Sequence, residues 1–253
     1  MADPAIFRQS AHRIRFDWGV EGLDALAPDC AVLVVIDVLS FSTTVDVAVG
    51  RGATVLPLPW RDERAGVAAT QAGAVLAGPR SGPGWTLSPA SLADLPAETL
   101  LALPSPNGAT LCARAAEADG TVLAGCLRNA RAVARLARRL AGTEPIGVIA
   151  AGERWGVNAG PVRFAMEDLL GAGAVIAALC ADGVTDPSVE AELAALTFEA
   201  HRDRLPTTLA QCVSGRELID EGFASDVELA GQLEISDAAP RLENGVLRDD
   251  PTV

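Results

Sequence analysis

Several carboxylates and small polar residues stand where chemistry could be done. In VVIDVLSFSTTVDVA (34–48) an apolar run ends on Asp37, and Ser40, Ser42, Thr43 and Thr44 follow at once. A carboxylate in mid-strand would be desolvated at high cost, whereas at a strand end it can meet a cation. Ser42, Thr43 and Thr44 open a helix, where unpaired N–H groups and small hydroxyls suit phosphate oxygens. The same residues also serve as plain helix caps. Pro104-Ser105-Pro106-Asn107-Gly108-Ala109-Thr110 reads as a tight turn opening another helix, with Gly108 allowing close backbone approach. Cys126-Leu127-Arg128-Asn129 and Gly152-Glu153-Arg154 each follow an apolar run directly. Glu153 could bind metal and Arg154 an anion, or the two could form a surface pair. Glu167 and Asp168 are adjacent acids in FAMEDLLGAGAVIAAL, near the start of a helix whose dipole favours negative charge. They read as Mg²⁺-coordinating or ligand-orienting carboxylates, or as a solvated first turn.

Other chemistries lack their signatures. The two histidines, His12 and His201, have no phosphohistidine-phosphatase context, and Asp37-Val38-Leu39 is not a D-x-D pair. There is no GxxxxGK[ST], no GxGxxG after a strand and no CX₅R. The five cysteines, Cys30, Cys112, Cys126, Cys180 and Cys212, show no CxxC spacing. They read as buried free thiols of a reducing, cytoplasmic protein rather than as a disulfide framework or zinc site. The net charge of −13 repels nucleic acid and anionic membranes, but a local arginine cluster can still hold a small anion. The first residues carry no secretory signal, and no segment is apolar for long enough to span a bilayer.

The elements that must position these residues alternate. AVLVVI (31–36), TVLPL (54–58), AVLA (74–77), TLLAL (99–103), TVLAG (121–125) and IGVIAA (146–151) read as strands. Helices are expected at about 42–50, 61–71, 107–116, 128–140, 162–180 and 188–201. This interleaving predicts an α/β fold, a layered α/β/α sandwich with a largely parallel or mixed sheet covered on both faces. Ligands then bind beyond the carboxyl ends of the strands. If the strands are neighbours, Asp37, Asn107/Thr110, Arg128/Asn129 and Glu153/Arg154 form one polar rim. The 253 residues fit one domain, or two intimate subdomains divided near the Gly/Pro/Ser-rich segment 78–96, which could instead be an active-site loop. The polar tail after about Pro240 is expected to fray.

The ordered set IDVLSFSTTVDVAVGRGA, SPNGATL, AGCLRNARAVA, AAGERWG, AMEDLLGAGAVI and SGRELIDEGFASDVELA resembles the 2-phosphosulfolactate phosphatase (ComB) family, from about Ala31 to Ser236. The resemblance implies an Mg²⁺-dependent phosphatase of coenzyme M biosynthesis. It would hydrolyse (2R)-2-phospho-3-sulfolactate to 3-sulfolactate and phosphate. A homodimer is one assembly compatible with it. Asp37, Asn107, Gly108, Asn129, Glu153, Glu167 and Asp168 fall in the family's motif blocks. The mechanism expected on this basis uses Asp37, Glu153 and Asp168 as catalytic groups and Asp37, Glu153, Glu167 and Asp168 as candidate Mg²⁺ ligands. Ser42, Thr43, Thr44, Asn107, Gly108 and Thr110 would cradle phosphate. Arg80, Arg128 or Arg154, with Asn129, would hold a further anionic group. The chain departs from the family pattern at Ser40-Phe41, where an Arg-Ala pair is usual, and at Pro79, where an acid is usual. Its Ser214-Gly215-Arg216 stands for His-Gly-Arg. These departures keep two alternatives in play: a phosphatase of another small phosphorylated acid, or a non-catalytic anion-binding homologue.

Overall fold

The computed structural model describes residues 4–156 and 160–250. Strand β1 (Ile14–Trp18) leads into helix α1 (Gly19–Leu26), and β2 (Val32–Ile36) leads into α2 (Phe41–Gly50). Then come β3 (Thr54–Leu58), α3 (Glu63–Ala72), β4 (Val75–Leu76), β5 (Leu100–Pro104) and α4 (Gly108–Ala115). They are followed by β6 (Thr121–Gly125), α5 (Ala130–Ala141), β7 (Ile146–Ala150) and the small ribbon of β8 (Glu153–Arg154) and β9 (Val162–Arg163). Helices α6 (Met166–Ala181), α7 (Val189–His201), α8 (Leu205–Gln211), α9 (Val213–Asp220) and α10 (Ala224–Ala230) precede a hairpin of β10 (Pro240–Glu243) and β11 (Val246–Asp249).

The main sheet has the order β1-β7-β2-β6-β10-β11-β3-β5-β4. Within the blocks β1-β7-β2-β6 and β3-β5-β4 every pairing is parallel. The hairpin joins the blocks by antiparallel pairings, through Arg241 opposite Leu123 on one side and Leu247 opposite Val55 on the other. The fold is thus a layered α/β/α arrangement on a mixed, mostly parallel sheet.

The continuous apolar run of β2 follows from burial on both faces. Val32, Val34 and Ile36 pack with α5, α6 and α7, in a cluster that includes Val133, Val175 and Phe198. Leu33 and Val35 point the other way, into a second cluster with Val45, Leu111, Leu101 and Leu103. Residues of β2 and β5 therefore share one core although four strands lie between them in the sheet. Three antiparallel pairings also reverse strand direction between the blocks. In a flat sheet the carboxyl ends of β2 and β5 would lie on opposite edges. Here the amide of Gly108, just beyond β5, reaches Asp37, just beyond β2, at 2.8 Å. The sheet must twist and roll to bring them together, the direction in which strands bend naturally.

Four expectations are corrected. The tail beyond Pro240 does not fray at once: it forms the β10–β11 hairpin in the middle of the sheet. Its turn is Asn244-Gly245, both with positive φ, at 51° and 82°, as a two-residue hairpin turn requires. The helix expected from Val162 begins at Met166, because Val162 and Arg163 pair with β8. IRFDW (14–18) is a sheet strand that periodicity did not mark. The rim of four strand ends does not close as one site, as described below. Segment 78–96 lines a cavity at its start, and Leu92 and Leu95 within it are buried in the second core cluster. Among the described residues no helix is long and apolar enough to cross a membrane.

Candidate active site

A cavity of about 780 Å³ opens where the ends of β2, β5 and β7 converge. Its wall includes Asp37, Asn107, Glu153 and Arg80, with Arg61 and Arg154. Asp37 is almost wholly buried, and both of its carboxylate oxygens are held by backbone: Oδ1 accepts from Phe41 N at 3.2 Å and Oδ2 from Gly108 N at 2.8 Å. The second contact explains the glycine. A Cβ at position 108 would stand 2.3 Å from Phe41 Cδ1 and 2.8 Å from Asp37 Oδ2, so only glycine lets α4 start this close to β2. Burial pushes the Asp37 pKa up to about 7, and the charge of Glu153 adds to the rise; the Gly108 and Phe41 amides pull it back down.

Glu153 is partly exposed at the mouth of the β7 loop. Its Oε1 accepts from Asn107 Nδ2 at 3.0 Å and from Arg154 N at 2.9 Å. Asn107 thus ties the β5 turn to the β7 loop, as Gly108 ties it to the β2 loop. Arg154 also lines the cavity, with its Nη1 donating to the Gly160 carbonyl at 3.0 Å.

Asp168 acts as a brace behind this pair. It is buried in the first turn of α6; Oδ1 accepts from Val38 N at 2.7 Å and Oδ2 from Gly152 N at 2.9 Å. One carboxylate therefore pins the loops that follow β2 and β7. Gly152 has φ +66°, and a Cβ there would meet Val162 at 2.7 Å and the Arg163 carbonyl at 2.8 Å, so this turn too depends on glycine. Burial, with the charges of Glu167 and Asp37, holds the Asp168 pKa well above the usual carboxylate range. Neighbouring Glu167 is also buried, and its Oε2 accepts from the Cys212 thiol at 3.4 Å. Glu167 and Asp168 do not line the cavity. They are not the solvated first turn that a charged helix start suggests.

The hydroxyls after Asp37 are spent on the chain itself. Ser42 Oγ accepts from Asp37 N at 3.0 Å and donates to Val35 O at 3.3 Å. Thr43 Oγ1 donates to Val38 O at 2.8 Å, and Thr44 Oγ1 contacts Ser40 O at 2.8 Å and Leu87 O at 2.7 Å. All three are fully buried and outside the cavity wall. They set the shape of the Asp37 loop. The polar side chains that do face the cavity there are Ser40 and Ser105. Gly108 and Thr110 sit behind the wall, with the Gly108 amide already given to Asp37.

Arg128 and Asn129, beyond β6, are not brought to this cavity. Asn129 closes its own loop, accepting from Cys126 N at 2.9 Å, and is fully buried. Arg128 Nε pairs with the buried Asp46 at 2.7 Å, and its Nη1 reaches Gln232. The rim is therefore three strand ends, not four. Arg61 and Asp226, which sequence reasoning passed over, belong to this region; Asp226 is a buried acid on α10 that grips Arg80. The only available sign of Asp226 was an acid within an otherwise apolar helix face.

An all-oxygen site built on Asp37 and Glu153 suits Mg²⁺, which takes one or two carboxylates and keeps several waters. Each Asp37 oxygen accepts one amide and has a lone pair left, and Glu153 Oε2 accepts no hydrogen bond from a described residue. The charge of Glu153 raises the Asp37 pKa, and a cation on the wall they share would offset that repulsion. Among the described residues no three His, Cys, Asp or Glu side chains form a closed metal cage.

Comparison with known proteins bears on what the cavity does. The family model described as 2-phosphosulpholactate phosphatase matches residues 21–245. A protein of Carboxydothermus hydrogenoformans named probable 2-phosphosulfolactate phosphatase is 33% identical over 221 residues, covering 85% of this chain and 87% of the relative. The 2-phosphosulfolactate phosphatase of Methanothermobacter thermautotrophicus is 32% identical over 218 residues, covering 84% and 87%. A probable 2-phosphosulfolactate phosphatase of Deinococcus radiodurans is 32% identical over 229 residues, covering 88% and 91%.

Proposed function

The chain belongs to the 2-phosphosulfolactate phosphatase family, and from that premise we propose that it hydrolyses (2R)-2-phospho-3-sulfolactate to 3-sulfolactate and inorganic phosphate, with Mg²⁺ held at Asp37 and Glu153. The observation that carries the reading is the convergence of three strand ends on one cavity, with Asp37 and Glu153 both in its wall and both locked to the Asn107–Gly108 turn. When bound, Mg²⁺ would offset the charge of the phosphoryl group and lower the pKa of a water it holds.

The chain's own residues do the rest. Asp37 is fixed by two amides, so it reaches the reacting geometry without reorganisation. Asn107 Nδ2 and Arg154 N anchor Glu153 Oε1, which leaves Oε2 as the oxygen that would hold the cation with Asp37. Ser40 and Ser105 line the wall and can donate to phosphoryl oxygens. Asp168 keeps the two acid-bearing loops in register without touching the substrate. Phosphoryl transfer of this kind is mostly positioning and charge stabilisation, so no covalent intermediate is required.

The test is phosphate release from 2-phosphosulfolactate and a panel of phosphorylated hydroxy acids, with and without Mg²⁺, alongside Asp37→Asn. Release that needs Mg²⁺, is lost in the variant and is fastest on the sulfonated ester supports the proposal. A folded protein that releases no phosphate from any of them overturns it.

A further inference from the structure

The cavity carries positive charge that the acid pair does not use. Arg80 crosses behind the Asp37 loop, and its Nη2 donates to Ser40 Oγ at 3.0 Å. Its Nη1 grips the carboxylate of Asp226, which has no solvent exposure and is itself held by Ser88 Oγ at 2.5 Å and Ala90 N at 3.3 Å. The guanidinium also lies 5.3 Å from the ring centre of Phe223. Arg80 is therefore held from three sides, one planar cation fixed at the cavity wall.

Arg61 lines the same cavity, at the approach to α3. Burial lowers the pKa of Arg80 most; Asp226 opposes this, Arg61 lowers it again, and Asp37 and Glu221 raise it. Both arginines belong to one cavity wall, which also holds Asp37. Asp226 cancels one of the two positive charges. The acid nearest Arg61 in sequence, Asp62, is taken by Arg64 at 2.7 Å, and Arg61 makes no ion pair among the described residues. Asp62, Glu217 and Glu221 also line the cavity, so it is not uniformly basic. Its wall holds the acid pair Asp37 and Glu153 together with the cations Arg80 and Arg61. A ligand with a metal-bound anionic end and a second anionic end matches that set. Guanidinium suits the second end because its planar fork matches the oxygens of a strong acid.

We propose that Arg61 and Arg80 form the subsite for the sulfonate, one of the two anionic groups that are not transferred, and that Arg61 sets the preference for substrates carrying it. This rests on the phosphatase reading above. Asp226, Ser88 and Phe223 are positioning residues for Arg80; Arg61 is the adjustable partner.

The experiment compares wild type with Arg61→Gln, an exposed change that leaves the Arg80 anchor intact. The first arm measures kcat/KM for 2-phosphosulfolactate and for 2-phospholactate, which keeps the phosphate and carboxylate and lacks the sulfonate. The expected result is a roughly tenfold fall in the ratio between the two, carried by KM, as loss of one charge-assisted contact implies. An equal effect on both esters overturns the proposal. The second arm measures binding of 3-sulfolactate and of lactate by calorimetry, which needs no turnover. Sulfolactate affinity that drops about tenfold in Arg61→Gln, with lactate weak throughout, supports the subsite even if no ester is hydrolysed. In that case the phosphatase reading fails and the anion site stands. Sulfolactate binding that is absent, or indifferent to Arg61, overturns the subsite whatever the enzyme hydrolyses.

Discussion

Replacing Asp37 by asparagine should change stability by an amount that depends on pH. In the metal-free protein burial and Glu153 raise the Asp37 pKa from the ordinary 3.8 to about 7, so the folded state holds this proton more tightly than the unfolded chain. Stability from the neutral carboxyl is fully present below the unfolded pKa and is lost as pH rises toward the folded one. That rise corresponds to ~4 kcal/mol once both states are ionised. About 1–2 kcal/mol of that has been lost by pH 5, where the unfolded carboxyl is already largely ionised, and the remaining ~2–3 kcal/mol is lost by pH 8.5. Asparagine has no charge to desolvate, so the variant escapes this decline. It forfeits one of the two amide contacts, because its amide oxygen replaces only one carboxylate oxygen, at a pH-independent cost of about 1–3 kcal/mol. Urea titrations in chelator at both pH values give the difference directly. The variant should gain about 2–3 kcal/mol on wild type between pH 5 and pH 8.5. A difference that stays constant, or moves against asparagine as pH rises, refutes the reasoning.

Gly108→Ala should shift the Asp37 carboxylate, since the new methyl overlaps Phe41 and Asp37 Oδ2; the expected outcome is about 1–3 kcal/mol of destabilisation in urea and a larger proportional loss of phosphate release. Asp168→Asn keeps one loop contact and loses the other, so stability should fall by about 1–3 kcal/mol. Its kcat should fall roughly tenfold or more as the Asp37 and Glu153 loops lose their common brace; a kcat equal to wild type would remove that role. Arg128→Ala strands Asp46 in the interior and should cost about 3–5 kcal/mol in a urea melt, with KM held within about twofold. A large rise in KM at unchanged stability would instead return Arg128 to the substrate.

What could be read in advance followed the strength of the apolar signal. AVLVVI and IGVIAA are parallel strands buried on both faces, so their residues had no reason to alternate, and continuous runs of this kind stand out. Asp37, Asn107 and Glu153 followed, because ligands gather at such strand ends. IRFDW was missed because Arg15 and Asp17 look like surface residues, yet Arg15 is buried and spends its guanidinium on the carbonyls of His12 and Arg8. The β10–β11 hairpin was missed because PRLE and VLRD are polar; the Asn244-Gly245 pair was the signal at hand. Ser42, Thr43 and Thr44 show the harder limit. A hydroxyl at a helix start can meet a ligand or its own backbone, and only burial decides, here for the backbone. Arg128 was misplaced for a related reason. Its strand end neighbours that of β2, but its partner, Asp46, comes from one turn inside α2, which strand order does not reveal.

The hairpin between the two parallel blocks also bears on how the protein is made. Asp37, Asn107 and Glu153 have all left the ribosome before residues 240–249 exist, yet those residues close the sheet from Leu123 to Val55. Until then the nascent chain carries two unfinished sheets, each with an open edge at β6 or β3 where another chain could pair. Closure joins segments separated by more than a hundred residues, the kind of contact that slows folding. The interval between synthesis of Glu153 and arrival of the hairpin is therefore when the chain is most open to aggregation. Slower synthesis near the C-terminus would lengthen that interval, and a chaperone covering the β3 or β6 edge would protect it.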